Sequence, residues 1–325
     1  MKNNKEILIT GGLGMIGSTL AVKLFKLGCN VTILDAELKR YGGNHYNINS
    51  IKDKIKYVKG DIRDIKTVDS LVLGKDIIFN FAAQVDYNYS LIDPILDNDI
   101  NCKGHLNVLD SCNRLNKDVK LVYSGSRMQY GRINENPVTE DHIMDPLSVY
   151  GINKLAAEKY YLAYYKSYNI NSVCFRITNP YGPRAQIKSP SYCILNWFIR
   201  QAMDGNDITI FGDGQQKRDY IYVDDIVDAM IKSAFNDKTN GNVYNLGYGK
   251  SIKFIDMAKL IISVVGRGKV LKTDWPKNWK NVETGSIQIS IKKLINDINW
   301  SPKVEIEKGI KKTYEFYNTN KKHYW

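Results

Sequence analysis

Short apolar runs alternate with longer segments of helical periodicity through the first half of the chain, and this alternation predicts an α/β fold. Apolar runs predict buried strands at residues 6–10, 30–34, 55–58, 76–81 and 119–123. From Leu13 onward, apolar residues recur at helical spacing, at Ile16, Leu20, Leu24 and Leu27. A further helix is predicted from about Asp145 to about Tyr168. We therefore expect a doubly wound parallel sheet with helices on both faces.

The later half of the chain predicts a second, smaller unit. Residues 220–223 and 243–246 have the pattern of short strands that return to the large sheet. We expect residues 1–177 and about 216–248 to form the sheet domain. Residues from about 178 to 215, together with 249–325, are expected to form a smaller C-terminal α/β lobe.

The composition is that of an ordinary globular protein. Of the 325 residues, 43% are hydrophobic and 25% are charged, which suffices for an α/β core and a smaller lobe. No apolar run approaches the roughly 20 residues of a membrane span. The first strand begins too early for a signal peptide to precede it. We therefore expect a cytoplasmic protein with no membrane partner.

The charge and the thiols narrow the function further. The net charge is +12, but the lysines are scattered, so we expect a solvated basic surface and no nucleic-acid partner. That charge can still attract a negatively charged nucleotide. The five cysteines are odd in number and lack paired spacing, which favours reduced thiols. The four histidines lack metal-ligand spacing, so no metal site is predicted.

Glycines mark the turn between the first strand and the first helix. Gly11, Gly14 and Gly17 fall there, within residues 10–17. A side chain at Gly11 or Gly14 would keep a phosphate from the backbone, and Gly17 allows the helix to pack closely on the strand. The helix N-terminus offers N–H groups and a positive dipole end. We therefore expect a dinucleotide pyrophosphate near Gly14, Met15 and Ile16, as in a Rossmann-type sheet.

The residue that ends the second strand predicts which dinucleotide is bound. Asp35 lies 18 residues after Gly17. A carboxylate there accepts hydrogen bonds from a ribose hydroxyl and repels a 2′-phosphate, which favours NAD over NADP. Lys39 and Arg40 follow closely and favour a phosphate. NAD remains the predicted cofactor.

Three polar residues predict the chemistry. Ser126 follows the fifth strand, at the sheet edge where ligands bind. Tyr150 and Lys154 are four residues apart on a predicted helix, so they project from one face. A phenol titrates near 10, and a neighbouring ammonium favours its phenolate. Tyr150 can then take a proton from a substrate hydroxyl that Ser126 orients.

These motifs resemble those of the extended short-chain dehydrogenase/reductases, in the branch of nucleotide-sugar epimerases and dehydratases. The resemblance covers nearly the whole chain. It is carried by residues 10–17, Asp35, 60–62, 82–84, Asn101, 124–131, 150–154, 176–184, 211–214 and 218–225. The set is highly specific for the family and weakly specific for the reaction.

The resemblance implies roles for further residues. On the cofactor side it implies contacts from Asp61 and Ile62 to the adenine, and from Ala82, Ala83, Gln84 and Asn101. The small residues at 82 and 83 allow the cofactor to lie close to the backbone. The implied substrate is a nucleotide-diphosphate sugar, with Asn179 and Arg218 at the phosphates, a task that suits a guanidinium fork. Asn196 and Trp197 would line the nucleotide pocket.

The resemblance also implies a partner subunit and a further contact to the substrate phosphates. The helix that carries Lys154 and Tyr160, Tyr161, Tyr164 and Tyr165 commonly joins a four-helix bundle in the family, which predicts a homodimer. Those tyrosines are equally suited to the core of the monomer. The family usually has another phosphate-binding arginine in the C-terminal lobe, and the nearest counterpart here is Lys280.

A departure from the family pattern decides the predicted reaction. The resemblance implies that similar 4,6-dehydratases carry an Asp-Glu or Ser-Glu pair directly after the catalytic Ser or Thr, and this chain has Arg127 and Met128 there. Neither can act as a carboxylate in water loss. We therefore predict an NAD-dependent nucleotide-sugar epimerase, acting at C4 through a transient keto sugar.

Other reactions remain open at this stage. They are net oxidation or reduction of the sugar, decarboxylation of a hexuronate, and epimerisation at C2. Arg127 would serve either of the first two by binding a carboxylate. A noncatalytic NAD-binding scaffold is disfavoured, because both Tyr150 and Lys154 are present.

Overall fold

The fold was obtained as a computed structural model, which describes residues 4–38, 42–275 and 283–325. Lys39, Arg40 and Lys280, considered above for phosphate binding, lie outside the described residues. The strands are β1 Glu6–Thr10, β2 Asn30–Asp35, β3 Lys56–Lys59, β4 Ile77–Asn80, β5 Lys120–Ser126, β6 Ser172–Ile177, β7 Asn179–Tyr181, β8 Ile208–Phe211, β9 Lys217–Tyr222, β10 Asn242–Leu246, β11 Ser251–Lys253 and β12 Val270–Thr273. The helices are α1 Met15–Lys26, α2 Ile65–Val72, α3 Pro94–Asn98, α4 His105–Leu115, α5 Val149–Tyr168, α6 Ile194–Met203, α7 Val223–Ala234, α8 Phe254–Val265, α9 Lys292–Ile298 and α10 Ile306–Asn320.

The central sheet has seven parallel strands in the order β10-β6-β5-β4-β1-β2-β3. The order reverses between β1 and β4, so the carboxyl ends of these two strands flank the crevice where ligands bind in doubly wound folds. The predicted Rossmann-type α/β fold is confirmed.

Helices cover both faces of this sheet because its strands are apolar on both sides. One core cluster includes Ile9 of β1, Leu20 of α1 and Val227 of α7. The cluster on the opposite face includes Leu8 of β1, Leu109 of α4 and Tyr161 of α5. The alternation of Leu8 and Ile9 between the two clusters follows from the two-residue period of a strand.

A smaller lobe packs around a separate cluster of buried residues. Leu195 and Ile199 of α6, Ile210 of β8 and Ile261 of α8 belong to this cluster. Strands β11, β9 and β7 form a three-stranded sheet, and β12 pairs with β8. Strand β10 joins the large sheet as the pattern at 243–246 predicts, whereas β9 belongs to the three-stranded sheet. The division of the chain into two domains stays a prediction.

One helix near the C-terminus contributes to the core of the large sheet. Leu294 and Ile298 of α9 belong to the core cluster of the large sheet, although they follow the smaller lobe in sequence.

In the described part of the chain, no helix combines the length and the apolar character needed to cross a membrane.

Candidate active site

A cavity of about 700 Å³ runs from the turn after β1 to the smaller lobe. Its wall contains most of the residues that the sequence nominates: Gly11, Gly14, Met15, Ile16, Gly17, Asp35, Asp61, Ile62, Ala82, Ala83, Ser126, Arg127, Tyr150, Lys154, Asn179, Trp197 and Arg218. Gln84, Asn101 and Asn196 are fully buried and stand outside the described lining.

The glycine turn has two glycines that packing requires and one that faces the cavity. Gly11 has a positive φ of 67°, and a Cβ there would lie 2.9 Å from the Ala82 backbone nitrogen. A Cβ at Gly17 would lie 2.3 Å from the Gly11 carbonyl oxygen. At Gly14 the nearest atom would be that same oxygen, at an ordinary 3.4 Å. Gly14 is therefore the position where a side chain would occupy cavity space.

The N-terminus of α1 fits the pyrophosphate of a dinucleotide. Its N-cap, Gly14, has no side chain with which to cap the helix. The first turn of α1, at Met15 and Ile16, lines the cavity. Backbone N–H groups at a helix start lack partners within the helix, and the dipole there favours an anion.

Asp35 is fixed beside this turn. Its carboxylate accepts hydrogen bonds from the backbone nitrogens of Leu13, at 3.0 Å, and Glu37, at 2.9 Å. Burial raises the pKa of Asp35, and these two hydrogen bonds oppose the rise. At the adjacent strand end, Asp61 forms an ion pair with Arg63 at 2.7 Å. Both carboxylates line the end of the cavity that contains the glycine turn.

Ser126 ends β5 and begins a short turn that holds it in place. Its hydroxyl accepts a hydrogen bond from the Met128 backbone nitrogen at 3.2 Å, and its own nitrogen donates to the Gln129 side chain at 2.7 Å. Gln129 in turn donates to the buried carboxylate of Glu158 at 2.7 Å. The strand extends three residues beyond the predicted end at 123, which carries Ser126 to the cavity.

Tyr150 lies in the first turn of α5, where Ser148 caps the helix by accepting from the Gly151 nitrogen at 3.1 Å. Burial raises the pKa of Tyr150 to about 12, and a hydrogen bond with the Ser126 hydroxyl opposes that rise. Ser126 and Tyr150 thus lie close together in the cavity wall, and their joint role in catalysis stays a prediction. A phenol with this pKa is protonated at neutral pH.

Lys154 is one helical turn after Tyr150 and is only 2% exposed. Its ammonium donates to the Ser124 carbonyl oxygen at 3.1 Å and lies 5.3 Å from the centre of the Tyr123 ring. Burial lowers the pKa of Lys154 to about 8, and the negative charge of Asp97 opposes the fall. Lys154 is thus a cation at neutral pH, close to the pH at which it loses that charge.

Asp97 is a buried carboxylate near this site that sequence reasoning missed. It is 0% exposed and accepts from the side-chain amides of Gln84 at 2.7 Å, Asn153 at 2.7 Å and Asn101 at 3.1 Å. Burial raises its pKa, and the three amides oppose the rise. The side chains of Gln84 and Asn101, predicted to contact the cofactor, thus contact Asp97 here. No sequence signal joins these residues, because the amides come from three separate segments.

The substrate side of the cavity contains two guanidinium groups. Arg127 donates to the Asn179 side-chain oxygen at 3.3 Å and to the Thr284 hydroxyl at 2.8 Å. Arg218 pairs with Glu283 and donates to the Gly285 carbonyl oxygen at 2.9 Å. The structure thus brings together Arg127, Asn179 and Arg218, which the sequence nominates for the substrate.

The remaining two nominated residues differ in position. Trp197 lines the cavity from α6. Asn196 faces the protein, where its amide donates to the Gly182 carbonyl oxygen at 2.6 Å and its oxygen accepts from the Gly182 nitrogen at 3.2 Å. Asn196 therefore fixes the turn after β7. The described residues contain no group of three or more His, Cys, Asp or Glu side chains placed to hold a metal ion.

Comparison with known sequences decides the family. The sequence model of the NAD dependent epimerase/dehydratase family matches residues 7–247, which include the glycine turn and the Ser126, Tyr150 and Lys154 cluster. The chain belongs to this family. The resemblance seen in the sequence motifs is confirmed, and the protein is an enzyme of the NAD-dependent epimerase/dehydratase family with NAD as its cofactor.

Relatives within the epimerase/dehydratase family carry several activities. A putative UDP-glucose 4-epimerase of Methanocaldococcus jannaschii is 33% identical, over 97% of this chain and 99% of the relative. CDP-paratose 2-epimerase of Salmonella typhi is 28% identical, over 96% of this chain and 98% of the relative. Sugar-nucleotide 4,6-dehydratases are similar at comparable identity. Family membership alone therefore leaves the reaction open.

Solved structures of the family share the fold and bind the expected molecules. UDP-glucose 4-epimerase of Thermotoga maritima, solved with UDP-glucose, superposes with a TM-score of 0.89 at 27% identity, over 97% of this chain and 99% of that one. The Thermus thermophilus UDP-glucose 4-epimerase, solved with NAD, superposes with a TM-score of 0.85 at 27% identity, over 96% of this chain and 99% of that one.

Proposed function

We propose that the protein inverts a carbinol centre of a nucleotide-diphosphate sugar, at C4, through a transient keto sugar. The observation that carries the proposal is the meeting of Ser126, Tyr150 and Lys154 in the same cavity that the glycine turn lines. Two UDP-glucose 4-epimerases among the similar structures share this fold over nearly their whole length. Reaction at C4 is the part of the proposal that rests most on them.

The cavity offers the cofactor a complete set of contacts. Gly14, Met15 and Ile16 would hold the pyrophosphate, Asp35 the adenosine ribose, and Asp61 and Ile62 the adenine. When bound, NAD supplies the hydride acceptor and donor of an oxidation–reduction pair. Asp35 opposes a 2′-phosphate by its charge, which supports NAD over NADP.

Tyr150 is the proposed acid and base. Tyr150 and Ser126 line the same cavity, and Ser126 affects the pKa of the Tyr150 phenol, so a sugar hydroxyl that reaches both would meet one donor and one acceptor. A phenol buried in this way gives up its proton only when a nearby positive charge stabilises the phenolate. Lys154 supplies such a charge one helical turn away. Tyr150 can then take the proton of the sugar hydroxyl and return it when the ketone is reduced.

The surroundings of Ser126 disfavour dehydration. Arg127 and Met128 both line the cavity at the two positions where similar 4,6-dehydratases carry acids. Within the described lining, the carboxylates are Asp35 and Asp61 near the glycine turn and Glu283 beside Arg218. None of these is adjacent to Ser126 in the chain, and the turn after β5 itself carries no acid. A ketone formed here therefore lacks the acid pair that drives water loss.

We also propose that two chains associate through α5. Tyr161 on this helix is buried in the monomer and stacks on Tyr123 at 4.8 Å between ring centres. Ile152, Tyr160 and Tyr168 on the same helix are exposed. These exposed apolar side chains support a dimeric contact. Light scattering of the purified protein tests it, and a monomer at micromolar concentration would contradict it.

A panel of nucleotide sugars tests the proposed function. The purified enzyme is incubated with UDP-, CDP- and dTDP-linked hexoses and hexuronates, with and without added NAD, and the products are separated by stereochemistry. We expect one pair of C4 stereoisomers to interconvert to equilibrium from either side. A product that has lost water, or a stable keto sugar, would overturn the proposal.

A further inference from the structure

Arg127 is a cation in the cavity wall that neutral groups hold. Its hydrogen bonds go to an amide oxygen, on Asn179, and to a hydroxyl, on Thr284. In the part of the chain that the structure describes, no carboxylate lies within ion-pair distance of it. The nearby carboxylate of Glu283 pairs with Arg218, although its charge also acts on Arg127. The surrounding protein and the repulsion of Arg218 lower the pKa of Arg127 to about 10. A guanidinium in this setting is stabilised when an anion enters the cavity.

Arg127 and its neighbour Tyr220 have unused hydrogen-bond donors for such an anion. A guanidinium has five N–H groups, and the bonds to Asn179 and Thr284 use two of them. A carboxylate takes two parallel N–H bonds from one guanidinium. The Tyr220 hydroxyl is buried without a hydrogen-bond partner among the described residues, and Tyr220 lines the same cavity. The positive charges of Arg218 and Arg127 both act on it.

The position of Arg127 in the cavity indicates which carbon of the sugar would lie beside it. It follows Ser126 directly, and its charge is close enough to lower the pKa of Tyr150. In a hexose, C5 carries C6 and is bonded to C4, so a group at C6 lies beside the C4 hydroxyl. The diphosphate leaves from C1, on the far side of the ring. C3 also borders C4, but an unmodified hexose carries only a neutral hydroxyl there. In such a sugar, an anion beside the reacting hydroxyl is therefore a carboxylate at C6.

We propose that Arg127 binds a C6 carboxylate, so that the substrate is a nucleotide-linked uronic acid. This inference rests on the proposed function, because that function places the sugar hydroxyl at Ser126 and Tyr150. It assigns Arg127 as a specificity-determining residue, separate from the diphosphate contacts proposed for Arg218.

The same contact protects the intermediate. A 4-keto uronate is a β-keto acid, and it decarboxylates when the C5–C6 bond breaks, its electron pair passes to the C4 ketone as an enolate, and CO₂ leaves. The carboxylate loses its charge in that step. Because Arg127 stabilises the charged carboxylate, it opposes the loss of CO₂. The product is therefore expected to keep its carboxylate.

Binding measurements on variants test the assignment. UDP-glucose and UDP-glucuronate are titrated separately into the full-length enzyme with NAD present, for wild type, Arg127→Met and Arg127→Lys. We expect Arg127→Met to weaken the binding of UDP-glucuronate by about 10- to 100-fold, the range for a hydrogen bond to a charged group. The affinity for UDP-glucose should be nearly unchanged. The affinity of Arg127→Lys for UDP-glucuronate should lie between those of wild type and Arg127→Met, since lysine keeps the positive charge but cannot donate two parallel hydrogen bonds to a carboxylate. Arg267→Met, which removes an exposed arginine of the smaller lobe, should change neither affinity.

The outcomes separate the two proposals. Equal weakening of both ligands by Arg127→Met would assign Arg127 to the diphosphate and overturn the inference. Wild-type enzyme that epimerises UDP-glucose and does not bind UDP-glucuronate would overturn the inference alone. Selective weakening of UDP-glucuronate together with CO₂ release would support the carboxylate contact and overturn the proposed epimerase. Thermal unfolding of each variant establishes that it is folded, and Arg127→Lys provides the comparison if Arg127→Met is not.

Discussion

At the scale of single residues, the site works because burial sets the protonation of each group before substrate arrives. Tyr150 is kept as a phenol and Lys154 as an ammonium near its titration point, since burial raises the pKa of the first to about 12 and lowers that of the second to about 8. A proton leaves the sugar only if Tyr150 can be converted to its phenolate. The positive charge of Arg127 lowers the pKa of Tyr150, and we propose that Lys154, one helical turn away, favours the phenolate as well.

Replacing the phenol tests this role. Tyr150→Phe removes the hydroxyl and keeps the ring, so turnover should fall by about 10²–10⁴-fold, the usual contribution of an acid–base group. Binding of the nucleotide sugar should be largely retained, as measured by calorimetric titration. Tyr314→Phe, at a half-buried tyrosine of the smaller lobe outside the cavity lining, is the control and should behave as wild type. Near-normal turnover in Tyr150→Phe would rule out the mechanism.

Residues within one motif could be predicted from the sequence, and residues joined only by the fold could not. Tyr150 and Lys154 are four apart on a helix, and that spacing alone places them on one face. Asp97 has no such signal. Its three amide donors come from the segment after β4, from a π-helical segment Asp99–Gly104 and from α5, and only packing brings these together.

At the scale of elements, the turn between β1 and α1 has to satisfy its own packing and leave room for a ligand. Gly17→Ala would place a Cβ 2.3 Å from the Gly11 carbonyl oxygen, whereas Gly14→Ala meets that oxygen at 3.4 Å. We expect Gly17→Ala to lower the melting temperature clearly. Gly14→Ala should melt near wild type and bind NAD more weakly, by fluorescence titration. Unchanged NAD affinity in a folded Gly14→Ala would contradict the placement of the pyrophosphate.

Asp97 links α3 to α5 and should tune the pH dependence of the reaction. Its negative charge raises the pKa values of both Lys154 and Tyr150. Removing the charge in Asp97→Asn lowers both pKa values, so the pH profile of kcat/KM should move to lower pH on both limbs. Asp99→Asn, which removes a carboxylate that is only 3.9 Å from Lys103 on the same segment, is the control. If Asp97→Asn lowers the melting temperature and leaves the pH profile of kcat/KM unchanged, Asp97 has only a structural role.

At the scale of the whole molecule, the parallel sheet was predictable and the course of the chain after residue 178 was not. Buried parallel strands such as Ile77–Asn80 appear as continuous apolar runs bounded by turns. The short apolar segment 220–223 predicts a strand that returns to this sheet, yet β9, which ends at Tyr222, pairs with β7 and β11 in the three-stranded sheet. Apolar content shows that a strand is buried and does not show which sheet it joins.

The cavity lies between the two units, so its two ends meet different chemistry. The glycine turn and Asp35 belong to the large sheet, and Arg218 and Trp197 come from β9 and α6. We propose that a nucleotide sugar that reaches Ser126 and Tyr150 is held at its other end by residues of the smaller lobe. This arrangement would keep the sugar in place while its reacting carbon is oxidised and reduced.

The most direct test of the account follows the hydrogen at the reacting carbon. A nucleotide sugar labelled there with deuterium, shown to be a substrate in the panel, is incubated with the purified enzyme and NAD, and absorbance of NADH is recorded. The proposed epimerase mechanism predicts interconversion of two stereoisomers, retention of the deuterium in the product, and no net NADH. Stoichiometric NADH with a stable keto product, or loss of the label, would contradict it.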